Sequence, residues 1–249
     1  RYEIDFKAFE EQIVQHQVKI FILCSPHNPG GRVWSREELH KMASICKKHH
    51  VLVISDEIHA DLLLFNKQHI PFASVSEEAK NNSITLMAPS KTFNMPGLLS
   101  SFYIIPNEEI KIRLQSIIQR LECGGGNIFA YEATFAVYKE GEAWLDDLIL
   151  YLEKQVNYVL EFIEEHMPLL KVMIPDASFL LWIDFSGLGL MEHEIKEMLI
   201  KEAKLGLNAG PSFGKGGEGF ARLNIATSRL VLEQAMKQLK EAYEYRSLS

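Results

Sequence analysis

The 249-residue sequence predicts an α/β fold, a three-layer and mostly parallel sheet, followed by a smaller α+β region toward the C-terminal end. Three observations carry that reading. Continuous apolar runs rich in β-branched residues, VKIFILC at 18–24, VLVIS at 51–55 and SITLMA at 83–88, read as buried strands. A helical segment separates the first two. Chemistry-rich loops follow all three, the grammar of strand–helix–strand units whose ligands gather beyond the carboxyl ends of the strands.

Each element has its own signal. Residues 5–17 (DFKAFEEQIVQHQ) bring Phe6, Phe9 and Ile13 to one helical face. After the first strand, SPHNPGG offers two X-Pro steps and a Gly pair, a rigid turn from which helix is excluded. Ser35, with Glu38 three residues on, is a capping box that opens a helix to about His49. Beyond the third strand, PSKTFNMPG reads as a second proline-stiffened loop. Helices are expected at 107–121, 128–138 and 141–166, the last ended by Pro168. Short strands near 171–174, 179–185 and 220–226 then alternate with helices near 191–204 and 229–246. That change of pattern places a domain boundary near residue 143, giving domains 1–143 and 144–249. The chain opens on Arg1-Tyr2-Glu3 with no initiator methionine, so a preceding portion of polypeptide is expected to be absent.

Composition narrows the function classes. With 47% hydrophobic and 24% charged residues, the chain has ordinary globular material for a sizeable core. Acidic residues outnumber basic ones, 33 to 26, and a net charge of −7 leaves no basic field for nucleic acid or anionic lipid. No apolar run approaches the roughly 18–20 residues that span a bilayer, and a cytoplasmic protein is expected. Cys24, Cys46 and Cys123 form no CxxC pair and read as reduced thiols.

The stretch SDEIHADLL gathers Asp56, Glu57, His59 and Asp61 after an apolar strand. A metal site would need these ligands to converge. On extended chain, neighbouring residues point to opposite faces, so no metal site is expected. Gly214, Gly216 and Gly219 spell GxGxxG but lead into a strand, FARLNIA, which is not the context of a dinucleotide turn. The three strand-end loops offer more: Asn28, Asp56, and Ser90 beside Lys91. A lysine on a stiffened loop past a buried strand, partly desolvated, becomes a nucleophile toward a carbonyl. Spacing alone leaves a plain surface lysine equally open.

SPHNPGGRVWSREEL, VLVISDEIHADL, APSKTFNMPGL and GPSFGKGGEGFARLNIA together resemble the pyridoxal-phosphate enzymes of aminotransferase class I/II, and within them the cystathionine β-lyase branch. The resemblance runs over essentially the whole chain and implies a partial large cofactor-binding domain plus a small C-terminal domain, lacking an N-terminal third. It implies that Lys91 forms the Schiff base with pyridoxal 5′-phosphate and serves as the catalytic base. It matches Asp56 to the partner of the pyridine nitrogen, Asn28 to that of the phenolic oxygen, and Ser90 to a phosphate contact. Arg222 matches the guanidinium that grips the substrate's α-carboxylate. His59, where tyrosine is usual, marks the lyase branch and joins the cofactor-binding set. The activity implied is a homodimeric carbon–sulfur β-lyase that cleaves cystathionine or cysteine-like amino acids to pyruvate, ammonia and a thiol. An aminotransferase, or a non-catalytic fragment, are the alternatives. Two positions depart from the family pattern: Leu99 stands where an arginine often holds the phosphate, and Ala88 where serine or threonine is frequent.

Overall fold

Asp5 begins the first helix, α1 (Phe6–Gln15), by accepting hydrogen bonds from the backbone N–H groups of Lys7 and Ala8, the work of an N-cap. The computed structural model describes residues 2–247. It divides into two compact units, one built of Tyr2–His27 with Arg32–Asp147, the other of Asn28–Gly31 with the chain from Leu148 onward.

In the first unit α1 is followed by β1 (Ile20–Cys24), α2 (Arg36–Lys48), β2 (Leu52–Asp56), α3 (Glu77–Asn81), β3 (Ser83–Met87), α4 (Pro89–Thr92), β4 (Phe102–Ile104), α5 (Glu108–Arg120) and α6 (Ile128–Glu140). The helix α7 (Glu142–His166) begins here and continues into the second unit. The sheet order is β1-β2-β3-β4, with the first three strands parallel and β4 antiparallel to β3. The capping box forms as its residues predict: Ser35 Oγ accepts from the Glu38 N–H at 3.2 Å, and Glu38 Oε2 from the Ser35 N–H at 2.9 Å. Helix α2 then buries Leu39, Met42, Ala43 and Cys46 against Leu23, Val53 and Phe72. That burial pushes the Cys46 thiol up to about 12.

Two expectations need correction here, and one strand was not foreseen. PSKT is not loop but a single helical turn, α4, with Pro89 at its first position, where a missing N–H costs nothing. β4 escaped the sequence reading because three residues at a sheet edge carry no periodicity to detect. β1 is also not buried on both faces: as the other edge strand it leaves Ile20 and Ile22 exposed.

The second unit takes the rest of α7, then β5 (Lys171–Met173), β6 (Leu180–Asp184), α8 (Glu192–Glu197), β7 (Asn208–Ala209), β8 (Phe220–Asn224) and α9 (Arg229–Ser247). Its antiparallel sheet has the order β5-β6-β8-β7. Leu152, Val156, Val159 and Ile163 form one stripe of α7, and Leu232, Met236 and Leu239 one stripe of α9, all buried at helical spacing. Trp182 of β6 is almost fully buried, stacked on Phe220 at 5.1 Å and edge-on to Phe213 at 5.3 Å. The helix expected over 191–204 starts as α8 but winds into a π-helical turn at Met198–Glu202. Gly31 sits at φ +64°, and a Cβ there would meet the Cβ of Pro175 at 2.5 Å. Its carbonyl accepts from the N–H groups of Asp176 (2.7 Å) and Ala177 (3.1 Å), so the last glycine of PHNPGG allows both the turn and the close approach.

Candidate active site

Parallel pairing puts the ends of β1 and β2 level, with Cys24 opposite Asp56 and the Ser25 N–H on the Asp56 carbonyl at 2.9 Å. Asp56 is half-buried, and its Oδ1 accepts from the Ile58 N–H at 3.4 Å. Burial pushes its carboxyl above the ordinary carboxylate value. The Ile58 N–H and the nearby Lys91 charge pull it down, and Glu57 pushes it up again.

Glu57, one residue on, turns the other way as strand alternation requires. It is buried and accepts from Ser55 Oγ (2.7 Å), the Phe72 N–H (2.9 Å) and His69 Nε2 (2.6 Å), which locks the chain from 55 to 72. His59 is buried in the turn that follows, its carbonyl accepting from the Leu62 N–H at 3.0 Å. Asp61 takes a third direction, with Oδ2 accepting from Thr92 Oγ1 at 2.9 Å and the Tyr138 hydroxyl at 3.4 Å. The cluster thus spreads rather than converges. Among the described residues, no group of three or more His, Cys, Asp or Glu side chains could hold a metal ion.

Ser90 and Lys91 lie on α4, directly after β3. Lys91 is exposed, and its charge reaches the Asp56 carboxylate. The α4 N-cap is Ala88, which has no side-chain oxygen to offer, and no side-chain cap bond forms. Leu99 adopts the left-handed conformation at φ 51° and is 88% exposed, so no guanidinium is offered from that position.

In the second unit Arg222 occupies the middle of β8, in register with Trp182 on one side and Asn208 on the other. Its Nη1 donates to Asn28 Oδ1 at 2.9 Å across 194 residues of sequence, and its Nη2 to Asn208 Oδ1 at 2.9 Å. The guanidinium lies 4.8 Å from the centroid of the Phe213 ring, and Phe213 leans on Trp182. Burial lowers the Arg222 pKa from its ordinary value. Its Nε is buried without a hydrogen-bond partner among the described residues, a donor held in reserve.

The structure therefore joins Asn28 to Arg222 and sets Lys91 near Asp56, with Ser90 beside Lys91 and His59 in the turn after Asp56. Three residues escaped the sequence reading, Asn208, Phe213 and Thr92, and Asp61 enters that reading only as a metal ligand. Asn208 stands in a two-residue strand and Phe213 in a Gly/Pro-rich turn, neither of which carries a periodic signal. Thr92 had one usable cue, its place directly after the lysine.

A raised Asp56 pKa has a stability consequence. The unfolded chain ionises this carboxyl at lower pH than the folded one. Stability therefore falls as pH rises from the unfolded value to the folded value and is level above it. Asp56→Asn removes the penalty, so with no cofactor added the variant is expected to melt above the wild type at neutral pH. The difference should close in acid. A wild type that melts higher at pH 7 would contradict the burial account.

A parallel strand ending in Asp56, the helical turn with Lys91 after the next strand, and an arginine-bearing antiparallel unit later in the chain belong to an α/β protein whose fold is that of the pyridoxal-phosphate-dependent transferases, as solved structures show. A PLP-bound structure from Clostridium difficile 630 matches with a TM-score of 0.94 and 45% identity, over 98% of this chain and 62% of that one. Cystalysin from Treponema denticola, whose structure contains pyridoxal 5′-phosphate, matches with a TM-score of 0.93 and 35% identity over the same shares. The cystathionine β-lyase PatB of Bacillus subtilis is 45% identical over 241 residues, 97% of this chain and 62% of that protein. Residues 1–239 match the family model of aminotransferase class I and II, and the chain belongs to that family. It spans about three fifths of the length of the relatives it matches.

Proposed function

We propose that the polypeptide is a pyridoxal-phosphate-dependent carbon–sulfur β-lyase, acting on cystathionine or cysteine-like amino acids and releasing pyruvate, ammonia and a thiol. The Lys91 charge near the half-buried Asp56 carboxylate supports the cofactor chemistry, with Asp56 ending β2 and Lys91 on α4 after the adjacent parallel strand β3, and the 45% identity to a cystathionine β-lyase favours the lyase within it. That donor set suits the cofactor: an exposed primary amine for its aldehyde, and a carboxylate whose burial favours a proton shared with a ring nitrogen. When bound, the cofactor supplies an electron sink for the pair left at the substrate's α-carbon.

The chain's own residues do the rest. Lys91 Nζ would hold the cofactor through its aldehyde and, when free, would serve as the base for the α-proton. Asp56 would pair with the ring nitrogen and hold its proton. Asn28, its Oδ1 held by Arg222, would have its amide N–H left to donate to the phenolic oxygen. Ser90 contacts the phosphate, and His59 completes the cofactor set from the turn after Asp56. Arg222, braced by Asn28, Asn208 and Phe213, presents a fixed fork to the α-carboxylate. We further infer large and small domains at 1–143 and 144–249, a homodimer, and a cytoplasmic location. No helix is long and apolar enough to cross a membrane among the described residues.

Lyase and aminotransferase chemistry use this same set, so the test sets one against the other. The native full-length polypeptide is loaded with pyridoxal phosphate and given cystathionine, then separately alanine with a keto acid. Pyruvate and ammonia from the first mixture are expected. Amino-group exchange without ammonia would overturn the lyase in favour of the transaminase.

A further inference from the structure

We propose that Asp61 is a positioning residue for Lys91, its carboxylate clamping helix α4 through Thr92 and Tyr138 so that the lysine amine is held against the loop that carries Asp56. The proposal rests on the reading that Lys91 attaches the cofactor.

Helix α4 cannot hold itself. It is four residues long, below any length at which a helix is stable alone, and it has no side-chain cap at its N-terminus. Its backbone supplies the Lys91 N–H to Ala88 O at 3.0 Å and the Phe93 N–H to Pro89 O at 2.8 Å. Its orientation must come from tertiary contacts, and two flank Lys91 on its C-terminal side. Thr92, 1% exposed, donates its hydroxyl to Asp61. Phe93 packs its ring edge-on against Tyr138 at 5.5 Å and tilted against Trp144 at 6.0 Å.

Tyr138 closes the arrangement by donating to the same Asp61 oxygen as Thr92. Burial, with the Asp61 charge and hydrogen bond, pushes its hydroxyl up to about 12, so it stays a donor across the working range. Two donors on one carboxylate oxygen pin it more firmly than either alone. Asp61 lies five residues after Asp56, within one short turn. A single loop thereby carries the carboxylate for the ring nitrogen and the clamp on the lysine helix. The separation of amine and carboxylate follows from that loop rather than from chance packing.

Three variants of the cofactor-loaded native polypeptide test this. Thr92→Val keeps the shape and removes the hydroxyl, Thr92→Ser restores it, and Asp61→Asn keeps an acceptor but removes the charge. The readouts are the pH midpoint at which the visible band of the lysine-linked cofactor titrates, kcat and KM separately, and hydrogen exchange at the Phe93 amide without cofactor. Since small misplacements of a reacting group cost up to ~100-fold, Thr92→Val is expected to lower kcat by roughly 10-fold or more with KM within about twofold. It should also shift the titration midpoint by about half a pH unit or more and speed Phe93 exchange severalfold. Thr92→Ser returns all three toward wild type. Asp61→Asn lowers the midpoint with a smaller effect on exchange.

An unchanged midpoint and kcat, with only a lower melting temperature, would reduce Asp61 to a structural contact and overturn the proposal. Should Thr92→Val fail to fold, Asp61→Asn decides through the same midpoint. Should the attachment site prove to be a lysine other than Lys91, the functional reading fails, and the exchange measurement still reports whether the clamp exists.

Discussion

Lys91→Ala leaves the native polypeptide with no pyridoxal phosphate that borohydride can fix, and its turnover falls by roughly 10³-fold or more, the scale on which covalent catalysts lose function with their nucleophile. The physical ground is that, on the proposed reading, one amine does two jobs, attachment and proton transfer. Among the described residues Lys91 is the lysine whose charge acts on Asp56. Lys91→Arg separates the two parts of that claim. It keeps a positive charge beside Asp56 but cannot form the carbon–nitrogen link, so it should lose fixation as fully as the alanine variant. Mass analysis of the borohydride-treated protein checks both. A pyridoxyl adduct surviving in either variant would move the attachment site elsewhere.

Arg222→Lys is the second large effect. The guanidinium makes one hydrogen bond to Asn28 and one to Asn208, and it lies over the face of Phe213. An ammonium can neither reproduce that planar fork nor reach both amide oxygens while meeting a carboxylate. Each hydrogen bond from a charged donor contributes about 1.5–3 kcal/mol, so losing one in the reacting complex should lower kcat/KM by roughly 10- to 150-fold. The assignment to the α-carboxylate has its own control. A thioether amine that lacks the carboxylate should be turned over poorly by both proteins and almost equally. If the variant loses as much on that amine as on the amino acid, Arg222 acts on something other than the carboxylate. Because Arg222 also holds Asn28, some of the loss should appear as weaker cofactor affinity, measurable by equilibrium titration.

Legibility in the sequence followed the length of each element. The strands Leu52–Asp56 and Ser83–Met87, the helix opened by Ser35 and Glu38, and the long helix Glu142–His166 could all be read to within a residue or so, because periodicity and capping act within the segment itself. Helix α4 and strands β4 and β7 could not, since elements of two to four residues depend on the partners they find, and those partners are distant in the chain. The candidate site divides in the same way. Asn28, Asp56, Ser90, Lys91 and Arg222 stand in motifs with a family pattern, and the motifs alone nominate them. Asn208 and Tyr138 lie outside those motifs, and Phe213, Asp61 and Thr92 lie within them without a role the motif assigns. They matter only through what they touch.

By itself, then, the sequence determined the longer strands and helices, which follow from local periodicity and capping, and, through the resemblance of its motifs, the family and the side chains proposed to bear the chemistry. Only the tertiary structure decided how these side chains are held. The acids of SDEIHADLL look like one cluster in the linear chain, yet Asp56 keeps a half-buried carboxylate, Glu57 turns into a buried network with Ser55, His69 and Phe72, and Asp61 reaches Thr92. The reason is geometric. Alternation along a strand and the turn after it send neighbouring residues in different directions, and which partner waits in each direction is set by chain that folds back from 12 to 77 residues away.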